Sequence, residues 1–144
     1  MMENIYVKGL PLPGKLVEMI SSGRWQAPKN KDLIKRLGIK EVELFALLNL
    51  AGIKNNSTQL RKLAQDGYGK SMGLVSDGSK ILMTGYLDPT KALVIGATYS
   101  DEILCLDYSD SNNPRVVATN DTERGTRWVV VAEKFEELVN LLEL

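Results

Sequence analysis

The chain has 144 residues, which fits one domain on the usual prior of about 100–200 residues and is long enough to bury a substantial core. Lys plus Arg equals Asp plus Glu at 18 each, so no global field draws the molecule towards nucleic acid or anionic lipid. There is no histidine, which removes the usual general base and the commonest metal ligand. The single cysteine allows neither an internal disulfide nor a cysteine framework for zinc.

Met1-Met-Glu-Asn lacks the basic start and apolar centre of a signal peptide, and the apolar runs fall short of the roughly 20 residues of a membrane helix, so a cytoplasmic protein is expected. Pro11-Leu-Pro-Gly14 stiffens the approach to a first helix with Leu16, Met19 and Ile20 on one stripe, ending before Gly23. Trp25 follows directly and is expected to pack back over that helix. Residues 24–40 carry six cations, Arg24, Lys29, Lys31, Lys35, Arg36 and Lys40, against one anion, Asp32, making this the most basic segment. Asn30 or Asp32 can cap a short helix holding Leu33, Ile34 and Leu37, with Gly38 at its end. Residues 41–50 fit two patterns: Val42, Phe45 and Leu48 have helical spacing, while Val42-Glu-Leu-Phe45 would also serve as a strand, and a helix is the expectation. Asn55-Asn56 is expected to break the chain, with Ser57 capping a further helix that turns Leu60, Leu63 and Ala64 inward and stops at Gly67. A glycine-rich loop over 67–79 and a turn at Asp77-Gly78 then lead to a strand over 79–84.

Two strands are expected at 92–95 and 102–108, because Pro89 opens the stretch and turn-forming residues over 96–101 interrupt two apolar runs. Alternation along the second puts Ile103, Cys105 and Asp107 on one face and Leu104, Leu106 and Tyr108 on the other. A third strand, 116–118, follows Asn112-Asn113-Pro114. A fourth, 128–131, follows a polar turn over 121–126 and leads into a final helix over 132–144 with Phe135, Leu138, Val139 and Leu142 inward. Glu133, Glu136 and Glu137 suit the positive end of that helix. Links this short pair strands antiparallel. The expected fold is therefore α+β, a single domain over 1–144 with an antiparallel meander flanked by N-terminal helices and a C-terminal helix.

Few residues offer chemistry. A nucleophilic Cys105 would need a cationic neighbour or a helix N-terminus, and it lies between Leu104 and Leu106, so a buried inert thiol is expected. Ala64-Gln-Asp-Gly-Tyr-Gly-Lys-Ser71 fits a relaxed phosphate-loop pattern, but a helical pattern precedes it where a buried strand belongs. Lys70 and Ser71 alone would carry a nucleotide-dependent enzyme. Asp107, Asp110, Asn112 and Asn113 gather oxygen ligands without the glycine and the closing acidic residue of a calcium loop, so a capped turn is expected. Residues 99–113 hold four anions, Asp101, Glu102, Asp107 and Asp110, and no cation. A rim of one sign steers a basic partner, and these four are the candidate partner-binding residues. Trp25 and Trp128 each adjoin an apolar element that needs cover and are expected to be structural.

Several blocks carry a resemblance: Leu10-Pro-Leu-Pro-Gly-Lys-Leu-Val-Glu, Ser22-Gly-Arg-Trp25, Leu87-Asp-Pro with Ala92-Leu-Val-Ile-Gly96, Leu106-Asp-Tyr108, Pro114-Arg-Val-Val117, and Trp128 with Phe135-Glu-Glu-Leu138. In their order and spacing they resemble bacterial members of the SUKH superfamily; residues 29–85 carry no matching block. Family members often have a serine cap where this chain has Glu133-Lys134. The resemblance implies an α+β fold with no catalytic apparatus and no cofactor or metal, in a family many of whose members are immunity proteins that bind and neutralise a cognate bacterial toxin. The competing reading is a nucleic-acid-binding regulator that lays the basic 24–40 segment and the 57–65 helix, with Arg61 and Lys62, against phosphates. Net neutrality argues against it.

Overall fold

The computed structural model describes residues 4–65, 72–75, 85–98, 102–123 and 125–144. Its centre is a five-stranded antiparallel sheet in the order β3-β4-β5-β6-β7, so each strand pairs with its neighbour in sequence, as a meander requires. The strands are β3 (Ala46–Leu47), β4 (Ala92–Ala97), β5 (Ile103–Asp107), β6 (Arg115–Thr122) and β7 (Gly125–Ala132). The protein is therefore α+β, as the alternation and short links imply.

Ahead of the sheet, β1 (Tyr6–Val7) and β2 (Leu10–Pro11) form a small hairpin that the sequence reading did not anticipate. Its two-residue loop is Lys8-Gly9, both at positive φ, the conformation of the tight turn whose twist matches that of paired strands. Next come α1 (Gly14–Ser21) and α2 (Lys31–Lys35), the latter capped by Asn30, whose side chain accepts from the Asp32 N–H. The chain closes with α4 (Phe135–Leu141), shorter than expected because Ala132 still pairs with Val116 in the sheet. No serine caps α4; Glu137 reaches back instead to accept from the Glu133 N–H at 3.0 Å.

Both faces of the sheet are covered, which is why its central strands are continuous apolar runs rather than alternating ones. On one face Leu93, Ile95, Leu104, Leu106 and Val116 pack with Leu16 and Met19 of α1, Ile34 of α2 and Phe135 and Leu138 of α4. On the other, Val94, Cys105, Val117 and Trp128 pack with Leu60, Leu74 and Leu87. The alternation read for β5 is the one observed. Trp25 is buried in the first cluster with its ring centroid 5.6 Å from that of Phe135, and its indole N–H donates to the Leu48 carbonyl. Trp128 lies in the second and donates to the Met72 carbonyl. Both tryptophans are structural.

Three expectations are corrected. Residues 41–50 are not one helix: Val42–Leu44 make a single 3-10 turn and Ala46–Leu47 become the edge strand β3. Asn55-Asn56 does not break the chain, because α3 runs unbroken over Leu50–Leu63 with Asn49 as its cap. Both asparagines lie on the exposed side of α3, where the cost of Asn against Ala is only a few tenths of a kcal/mol. Ser57 is therefore a mid-helix residue. Gly96 is no turn residue but part of β4, and a Cβ there would sit 2.9 Å from the Phe45 ring. The glycine lets Phe45 press onto the strand. The strand expected over 79–84, its turn at Asp77-Gly78, and Lys70 and Ser71 lie outside the described residues.

Candidate functional site

Of the four acidic residues singled out from the sequence, the three described, Glu102, Asp107 and Asp110, do not form one open strip. Glu102 stands just before β5 and Asp107 ends it, so at about 3.3 Å per residue they lie roughly 17 Å apart along the strand. Each carboxylate is turned to its own chain. Glu102 accepts from the backbone N–H groups of Lys40 and Glu41, both at 2.8 Å, and so ties the segment after α2 to the start of β5. Asp107 is buried and accepts from Arg115 Nε at 2.9 Å and from the Ser109 N–H and hydroxyl at 3.0 and 2.7 Å. That is the capped turn expected in place of a calcium loop. Asp110 is exposed, and Asp101 lies outside the described residues.

Arginines of the basic segments are likewise engaged within the fold. Arg24 donates to the Leu144 backbone oxygen, and Arg36 to the Leu141 carbonyl at 2.9 Å and to Glu143 at 3.4 Å. Two cations thus meet the negative end of α4, a favourable placement against the helix dipole. Arg61 donates to the carbonyls of Pro89 and Thr90. Cys105 is fully buried, and burial, followed by the charge of Asp107, pushes its thiol well above the ordinary range. It is held as the neutral thiol, not as a nucleophile.

What the fold leaves open is a trough on the first face of the sheet, beside β7. The residues after α2, Arg36, Leu37 and Gly38, form one wall, and Ala118, Val129 and Val131 form much of the apolar floor of a cavity of about 450 Å3. A smaller cavity of about 130 Å3 adjoins it at Gly38, with Lys40, Glu41, Glu102 and Asp121 around it. A third, of about 370 Å3, adjoins it at Arg36 and Val131 and reaches Glu137 of α4. Val129 and Val130 are 47% and 39% exposed, among the few large apolar side chains open to solvent. They lie next to a bulge: Val116 pairs with Ala132 and Val117 with Val130, so Val131 is the extra residue of β7 and bends the strand.

The sequence reading found β7 but not its exposure. Three consecutive valines mark a strand, and only the packing of α2 and α4 decides that part of it remains uncovered. Glu41 and Asp121 had no signal at all, since they join Glu102 only through the sheet and the segment that Glu102 clamps. Among the described residues no three His, Cys, Asp or Glu side chains are grouped to hold a metal ion, and no helix is long and apolar enough to cross a membrane. No family model matches this chain, and neither a curated protein nor a solved structure does.

Proposed function

We propose that this chain is a non-enzymatic binding protein of the SUKH type, a cytoplasmic immunity protein that neutralises a cognate bacterial toxin by occupying its surface. The observation that carries the reading is the trough beside β7, where Val129 stays open to solvent on the first face although both faces of the sheet's centre are packed. Exposed apolar surface rimmed by polar groups is characteristic of a contact site. The resemblance of the blocks around Leu10, Leu87 and Leu106 to that family supports the same reading. So does the chemistry: the chain has no histidine, its one thiol is buried, and its buried aspartates serve internal turns.

Inhibition by occupancy has a stoichiometric signature. The chain is to be produced with a toxin encoded beside its gene and the purified pair titrated against toxin activity. Activity should fall linearly and vanish at one equivalent, with a stable complex on gel filtration. Protection by a small fraction of an equivalent would mean turnover and would overturn the reading, as would the absence of any complex.

A further inference from the structure

We propose that the trough takes a basic, extended segment of a protein partner, an aliphatic or aromatic side chain resting on Val129 and Val131 with an arginine or lysine beside Glu41, Glu102 and Asp121. The inference deepens the binding function proposed above and rests on it. The chain as a whole is neutral, yet the trough is not. Its cations are Arg36, already paired with Glu143, and Lys40; its anions are Glu41, Glu102, Asp121 and Glu137. Glu102 is half-buried, its carboxylate accepts from two backbone N–H groups, and it forms no ion pair among the described residues. Asp121 accepts from the Thr126 hydroxyl, Glu41 forms no ion pair among the described residues, and both line the smaller cavity at the end of the trough. Low-dielectric walls focus such a field on whatever enters.

Shape argues for a chain segment. The three cavities adjoin through Gly38, Arg36 and Val131, giving an elongated open trough, whereas a small-molecule site encloses most of its ligand. An apolar floor next to an acidic end matches an apolar side chain followed by a cation. Arginine suits it best, since its planar fork can meet a carboxylate in two hydrogen bonds.

The test uses two probes, acetyl-Leu-Arg-Leu-Arg-amide and acetyl-Leu-Glu-Leu-Glu-amide, titrated into the 15N-labelled full chain. Amide shifts should gather at 36–41, 118–121 and 129–131 with the arginine peptide, at least about tenfold tighter than with the glutamate one, and weaken several-fold in about 0.5 M salt. The exposed substitution Glu41→Lys should remove most of that preference while leaving the melting temperature unchanged, and Val129→Asp should weaken both peptides. Equal affinity for the two peptides, shifts elsewhere on the surface, or no shift at millimolar peptide would each overturn the proposal. A toxin captured at full affinity by the folded Glu41→Lys protein would overturn the trough as its docking site and leave the immunity reading standing. Trough-selective binding of the arginine peptide with no toxin captured would support the proposed chemistry and remove the toxin instead.

Discussion

Ser57 shows how one hydroxyl can finish a sheet. β3 is two residues long and pairs only with Gly96 and Ala97, so the backbone N–H of Val94, further along that edge, has no strand to donate to. Ser57 Oγ, buried in the middle of α3, accepts from it at 2.9 Å. Ser57→Ala leaves that buried N–H unpaired and should lower stability by about 1–3 kcal/mol in urea titration, more than an exposed serine in the same helix would. Tyr108 makes a comparable long-range tie, its phenol donating to the Pro11 carbonyl at 2.6 Å, and burial pushes its ionisation well above the ordinary value. A folded-state pKa raised above the unfolded one means that the unfolded chain loses its proton first. The contribution is therefore fully present below about pH 10 and is lost as pH rises from there through the folded value. Unfolding free energies measured on either side of pH 10 should fall more steeply for the wild type than for Tyr108→Phe; parallel slopes would contradict the assignment.

The elements differ most from a local reading at α3. Its cap lies at Asn49, whose side chain accepts from the Gly52 N–H, and the helix continues past two residues that favour turns because its buried side is already fixed by Ile53, Ser57 and Leu60. Ile53 belongs to the first apolar cluster and Leu60 to the second, so α3 spans the edge of the sheet and cannot be divided at Asn55 without uncovering one of them. Tertiary burial outweighs the small propensity cost. Asn55→Ala should accordingly stabilise the protein by roughly 0.5 kcal/mol, read as a small rise in melting temperature. A loss of helix signal on the same change would restore the break at this position. The segment that becomes β3 fits two patterns for a related reason: Val42, Phe45 and Leu48 have helical spacing while Val42-Glu-Leu-Phe45 would serve as a strand, and Gly96, distant in sequence, makes room for Phe45 against the sheet.

For the molecule as a whole, the two apolar clusters lie on opposite faces of the same strands. Leu104 and Leu106 enter one while Cys105 enters the other, and Val116 and Ala118 flank Val117 in the same way. One face cannot melt without stripping alternate residues from the other. Trp25 and Trp128 report on the two faces separately, so the single-tryptophan variants Trp25→Phe and Trp128→Phe should each unfold with fluorescence and circular dichroism midpoints that coincide within that variant. Separate transitions would show two cooperative units. The sequence by itself determined the fold class, the meander from β4 to β7 and the facing of each residue in β5, because apolar period and turn residues act over a few positions. It also determined the inert setting of Cys105. Tertiary structure decided that Glu102 and Asp107 serve the fold at opposite ends of one strand, that α3 runs through Asn55-Asn56, and that Val129 stays uncovered in a trough whose far end is lined by Glu41 and Asp121. Each depends on which distant element covers an edge or a face, and that is settled by packing between residues far apart in the chain, which no local pattern records.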